Sequence, residues 1–128
     1  MSQKAEEMTA PAVSRVGVVG CGLMGSGIAE VCARAGLDVM VREVNPAAME
    51  AGQKRLTASL DRALGANKIT EDDRDSALAR LSFTTDLADF ADRQLVVEAI
   101  IEDEAMKVDV FAQLDKHVAD PNAILATN

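Results

Sequence analysis

Val18-Val19-Gly20-Cys21-Gly22-Leu23-Met24-Gly25 constrains the fold of this chain more than any other stretch. Val16 to Val19 is short, apolar and closed by glycine, which predicts a strand buried on both faces. From Met24 to Ala35 the periodicity turns helical, with Ile28, Val31, Cys32 and Ala35 expected to face inward and Gly36 to end the helix. Val39 to Val41 is a second apolar run, so residues 16–41 read as strand, helix, strand. Such a unit requires parallel strands and a right-handed crossover. Each glycine of the turn has its own physical reason. Gly20 permits the tight turn, Gly22 lets backbone amides approach a ligand, and Gly25 lets the helix pack closely on the strand.

A G-x-G-x-x-G turn alone arises for many backbone reasons. Here an acid completes the context: Glu43 follows the second strand, 18 residues beyond Gly25. A helix N-terminus presents free N–H groups to phosphates, and a carboxylate at that distance can accept both ribose hydroxyls of an adenosine. The pattern therefore predicts a dinucleotide site. The carboxylate favours NAD, because it repels a 2′-phosphate, while the guanidinium of Arg42 beside it leaves NADP open.

Asn45-Pro46 starts a long helix with Met49, Leu56, Leu60 and Leu64 on one face, ending near Gly65. Thr70 before Glu71, Asp72 and Asp73 predicts a capped shorter helix that turns Ala77, Leu78 and Leu81 inward. Leu81–Thr84, Leu95–Val97 and Ile124–Ala126 are further strand candidates. Met106, Val110, Leu114 and Val118 mark the stripe of the helix between the last two. Strands alternating with helices, without repeats, predict an α/β doubly wound parallel sheet. It carries a helical insertion, 46–82, after the second strand. Residues 1–14 read as a flexible leader, and the charged residues of 71–93 as a solvated face.

Thirteen basic against twenty-one acidic residues leave a formal charge of −8. That excludes a phosphate-backbone binder and argues against an anionic membrane surface. The three phenylalanines are the only aromatic residues, too few for a base-stacking platform. The longest uncharged run, Val16–Ala29, has fourteen residues with five glycines and is too short to span a bilayer. The polar, acidic N-terminus fits neither a secretory signal nor a transit peptide. Cys21 and Cys32 have no metal spacing and read as packing residues, so no metal is expected. A reduced, cytoplasmic setting is the expectation.

Four stretches take the reading further. Gly20-Cys-Gly-Leu-Met-Gly-Ser-Gly-Ile-Ala29, Gly36-Leu-Asp-Val-Met-Val-Arg-Glu43, Leu95-Val-Val-Glu-Ala-Ile-Ile-Glu102 and Ile124-Leu-Ala-Thr-Asn128 resemble the 3-hydroxyacyl-CoA dehydrogenases, in particular the short-chain bacterial 3-hydroxybutyryl-CoA type. The insertion at 46–82 resembles that family too, and the likeness covers 15–128. The resemblance implies a Rossmann-type NAD-binding domain over 15–128, NAD as cofactor and an acyl-CoA as substrate. It implies that Gly20, Gly22, Leu23, Met24 and Gly25 hold the pyrophosphate and Glu43 the adenine ribose. Ala99 and Glu102 would line the nicotinamide side, Lys107 would bond near the nicotinamide ribose, and Asn128 would stand beside nicotinamide and substrate. Ser59 and Lys68 resemble positions that meet CoA. From spacing alone, Glu102 and Lys107 read as an exposed pair at a helix start, and Ser59 and Lys68 as solvent-facing residues.

The family's His–Glu dyad and helical dimerisation domain follow the strand that ends at Asn128, so the chain reads as truncated before both. No catalytic residue is assigned within it, and His117 reads as a surface residue. The full-length form is expected to be a homodimer. Three functions compete. The first is NAD-dependent oxidation of a (3S)-3-hydroxyacyl-CoA, with this chain as the cofactor-binding part. The second is an NAD-binding module without chemistry. The third is a 3-hydroxyisobutyrate-type dehydrogenase, whose chains lack Val-Glu-Ala at the fourth strand and the insertion.

Overall fold

A computed structural model of the protein describes residues 12–100 and 103–127. Glu102, Asn128 and most of the 1–14 leader lie outside the described residues. The order of elements is β1 (Arg15–Val19), α1 (Leu23–Arg34), β2 (Asp38–Arg42), α2 (Pro46–Gly65), α3 (Glu71–Ala79), β3 (Leu81–Thr84), a 3-10 turn (Leu87–Phe90), β4 (Leu95–Glu98), α4 (Glu104–His117) and β5 (Ile124–Thr127). All strand pairs are parallel, in the order β3-β2-β1-β4-β5. This is the expected doubly wound sheet. The chain moves outward from β1 in one direction, then returns to build β4 and β5 on the other side. The switch point thus falls between β1 and β4, whose C-terminal ends open the crevice where such sheets bind ligands.

Local chemistry sets the helix boundaries. The Asn45 side chain accepts the Ala48 N–H at 2.8 Å and Pro46 follows it. Thr70 and Asp73 form a reciprocal capping box: Thr70 Oγ1 accepts from Asp73 N at 3.1 Å and Asp73 Oδ2 from Thr70 N at 3.0 Å. Gly36, after α1, sits at φ +98°, where a side chain would strain the backbone.

The sheet is covered on both faces. On one side Val16, Val18, Val39 and Val41 pack with Ala29 and Ala33 of α1, Leu56 and Leu60 of α2, and Ala77 of α3. On the other, Val19 and Val96 pack with Leu87, Phe90 and, from α4, Val110 and Leu114. Strand alternation sends neighbouring residues of β1 into opposite layers. Gly17 leaves room for the Phe90 ring, since a Cβ there would stand 2.7 Å from its edge.

Three expectations are corrected. The inward face of α1 is Gly25, Ser26, Ala29 and Ala33, whereas Val31 is 67% exposed and Cys32 only partly buried. The helix lies close to the sheet, so small residues fill its seam, Ile28 and Cys32 pack at its margin, and Val31 and Ala35 are turned outward. Met106 is likewise 43% exposed, and the stripe of α4 is carried by Val110 and Leu114. The third concerns Arg93, which is not part of a solvated face. Its side chain is 3% exposed, held by both Asp92 oxygens at 2.9 and 3.0 Å and by Asp38 Oδ1 at 3.2 Å. Five fixed donors in a planar fork let this buried guanidinium stay charged, at the sheet end opposite the crevice.

Candidate functional site

The glycine turn leaves β1 directly over the switch point. Gly20 takes φ +96° and donates its N–H to Arg42 O at 2.9 Å, tying the turn to the end of β2. Ala99, just past β4, donates to Val19 O at 2.9 Å. A Cβ on Gly20 would come 2.9 Å from the Ala99 carbonyl oxygen, and one on Gly25 would collide with the Gly20 carbonyl. Two of the three glycines are therefore demanded by packing. Gly22 is different: a Cβ there meets nothing within 4 Å. Its side-chain position opens onto the space in front of α1.

That space suits a pyrophosphate. Asn45, Thr70 and Asp103 cap α2, α3 and α4 with their side chains, but Gly22 has no side chain with which to cap α1, and the first turn of α1 has no acid. The amides of Leu23, Met24 and Gly25 lack intrahelical acceptors, and the positive end of the helix dipole is left to an external anion. Leu23 is 87% and Met24 52% exposed, so both border the open space. A phosphate group fits the donors and the cleared room.

Glu43 follows β2, and its Oε2 accepts the Cys21 N–H at 3.1 Å. The acid thus lies against the turn, half-buried, on the β2 side of the crevice. Arg42 is directed elsewhere, with its Nε donating to Thr85 O at 3.2 Å on the β3 side. The peptide group that follows Cys21 is held from α2: Arg55 Nη1 donates to Cys21 O at 2.7 Å. One turn earlier, Gly52 is buried against Cys21; a Cβ on it would stand 2.8 Å from the Cys21 Cβ and 2.9 Å from Sγ. Burial pushes the Cys21 thiol up to about 11, the Glu43 charge adds to the rise, and Arg55 opposes it. A thiol so held is no nucleophile at neutral pH.

On the far side of the switch point, Glu98 ends β4 with no exposed surface. Its carboxylate accepts from Ile100 N at 2.7 Å and from Thr127 Oγ1 at 2.7 Å, and Lys107 Nζ lies 3.5 Å from Oε1. Ala99 and Lys107 are thereby brought to one edge of the crevice.

Ser59 and Lys68, expected from the resemblance to meet CoA, are placed apart by the fold. Ser59 is half-buried on α2, one turn beyond Arg55. Lys68 lies past the end of α2, exposed, around a shallow depression shared with Arg34 and Arg80. Those residues sit by the starts of β2 and β3, so the fold does not bring Lys68 to the crevice. His117 closes α4, fourteen residues long, and lies roughly 20 Å along the helix axis from the crevice end.

Sequence reasoning passed over Arg55 and Glu98. A carboxylate inside the apolar run Leu95–Ile100 was a signal for the second, since a buried charge must find donors. Nothing in the spacing of α2 marked Arg55.

Residues 15–128 match the family model described as 3-hydroxyacyl-CoA dehydrogenase, NAD binding domain. The chain is 59% identical over 117 residues to the 3-hydroxybutyryl-CoA dehydrogenase of Mycobacterium tuberculosis, covering 91% of this chain and 41% of that protein. The crystal structure of M. tuberculosis FadB2 superposes with a TM-score of 0.91 at 58% identity, over 92% of this chain and 41% of that one. The (S)-3-hydroxybutyryl-CoA dehydrogenase PaaH1 of Ralstonia eutropha gives a TM-score of 0.87 at 39% identity, over 91% and 41%. The chain therefore spans about two fifths of the length of these relatives.

Proposed function

Since this chain belongs to the 3-hydroxyacyl-CoA dehydrogenase family and forms its NAD-binding domain, we propose that the protein serves the NAD-dependent oxidation of a (3S)-3-hydroxyacyl-CoA, with 3-hydroxybutyryl-CoA as the short-chain substrate. The observation that carries this reading is the crevice itself. An uncapped helix N-terminus, a cleared position at Gly22 and a carboxylate on the Cys21 amide stand together at the switch point.

NAD supplies the hydride acceptor when bound. The residues present do the holding. The amides of α1 receive the pyrophosphate, and Glu43 accepts from the adenine ribose while keeping the turn in register through Cys21. Ala99 supplies a small wall on the nicotinamide side, where a bulkier residue would crowd the ring, and Lys107 bonds to the nicotinamide ribose. Glu102 and Asn128 keep their expected roles on that side. Two free cysteines, Cys21 and Cys32, agree with a reducing, cytoplasmic setting. Among the described residues no helix is long and apolar enough to cross a membrane. A homodimeric full-length form belongs to the same reading, checked by its mass in solution.

The test is acetoacetyl-CoA-dependent oxidation of NADH by the complete gene product. Turnover with acetoacetyl-CoA supports the assignment. NADH binding without any turnover would leave a cofactor module and overturn the substrate.

A further inference from the structure

Glu98 is the single fully buried acid among the described residues. Its partners come from three different elements: Ile100 N beyond β4 at 2.7 Å, Thr127 Oγ1 at the end of β5 at 2.7 Å, and Lys107 Nζ in the first turns of α4 at 3.5 Å. All three elements meet at the C-terminal edge of the sheet, on the nicotinamide side of the crevice. Glu98 itself is paired in register with Val19, the last residue before the glycine turn.

A buried ion pair is a poor device for stability, because desolvation offsets most of its attraction and an apolar side chain of similar volume packs as well or better. What it does well is fix positions. The Lys107 side chain is 14% exposed, so its ammonium has little freedom once Glu98 engages it. A lysine otherwise loses considerable rotamer entropy when it binds a ligand, and prior placement removes part of that cost.

We infer that Glu98 is a positioning residue for the nicotinamide half of the cofactor: it presets the Lys107 ammonium and anchors the end of β5 through Thr127. The inference rests on the reading that Lys107 meets the nicotinamide ribose. Glu98 touches neither cofactor nor substrate and acts through its neighbours.

The test compares NADH with ADP, which lacks the nicotinamide and its ribose, by titration against the protein and its Glu98→Gln, Lys107→Met and doubly substituted forms. Glutamine keeps an acceptor for Ile100 and a donor for the Thr127 hydroxyl but loses the charge that holds Lys107. Glu98→Gln and Lys107→Met are each expected to weaken NADH about tenfold, leave ADP unchanged, and combine to no more than Lys107→Met alone. Equal weakening of both ligands by Glu98→Gln, or additive effects in the double form, would make Glu98 a structural residue and overturn the inference. So would an unchanged NADH affinity in Glu98→Gln when Lys107→Met weakens it. If Lys107→Met leaves NADH unchanged, the role of Lys107 fails first and the inference falls with it. Should Glu98→Gln not fold, Glu98→Asp keeps the charge but withdraws it by one methylene. Selective loss of NADH there supports the inference, and parallel loss of both ligands overturns it.

Discussion

The Arg55 guanidinium, on the helical insertion, grips the Cys21 carbonyl of the glycine turn at 2.7 Å. With Glu43 on the Cys21 N–H at 3.1 Å, the two peptide groups flanking Cys21 are each held by a side chain far from the turn in sequence. The insertion is thus a brace for the cofactor turn, whatever else it contacts. Arg55→Met removes one charge-assisted hydrogen bond on a partly solvated group, worth about 1 kcal/mol, and should weaken NADH several-fold. Gly52→Ala gains about 0.5–1 kcal/mol of helix propensity but forces a methyl into Cys21. Overpacking of that kind costs about 1–3 kcal/mol, so the net change in a denaturant titration should be destabilising.

Gly25 and Gly22 should separate packing from binding. A Cβ on Gly25 collides with backbone that cannot move aside, whereas one on Gly22 meets open space. Gly25→Ala is expected to lower the thermal midpoint strongly or prevent folding. Gly22→Ala should leave the midpoint nearly unchanged. Equal loss of stability in both would place the two glycines in the same structural role.

Gly20 and Gly25 are readable because each answers a backbone demand written in the local spacing, as do the Asn45 and Thr70 caps. The face of α1 is not. Hydropathy points to Val31, which is exposed, while close approach to the sheet selects Gly25, Ala29 and Ala33. The four-residue spacing of these small residues was the better signal. Arg93 was hidden in a charged segment because its burial depends on Asp38, 55 positions away. Lys68 was joined to Ser59 by likeness alone, and the chain turn after Gly65 carries it to the other end of the sheet.

Glu43→Ala should change cofactor preference as well as affinity. The carboxylate repels a 2′-phosphate, and removing it also releases the Cys21 amide. NADH should bind about tenfold or more weakly, with the NADH-to-NADPH ratio moving toward unity. Parallel titrations with both cofactors check this, and an unchanged ratio would remove Glu43 from the ribose site.

Acid should loosen the protein through Asp92. The hydrogen bonds from Arg93 hold its carboxyl below the ordinary carboxylate range, against the opposing effect of desolvation. A depressed folded value contributes stability above the unfolded value and loses it as pH falls through the folded one. Asp92 is 57% exposed, so its share is under about 1 kcal/mol. Arg93→Met should cost about 1–3 kcal/mol at neutral pH and abolish Asp92's part of the acid dependence in thermal melts down to about pH 3. An unchanged acid profile would show that the pair is not what Asp92 titrates against.

The central claim is that the space before α1, kept clear at Gly22, holds the pyrophosphate of NAD. Calorimetric titration of NADH into the protein and into Gly22→Val tests it most directly. Saturable one-site binding by the protein, and at least about a hundredfold weaker binding by Gly22→Val at an unchanged thermal midpoint, is the predicted result. Equal NADH affinity in the two forms would contradict the account.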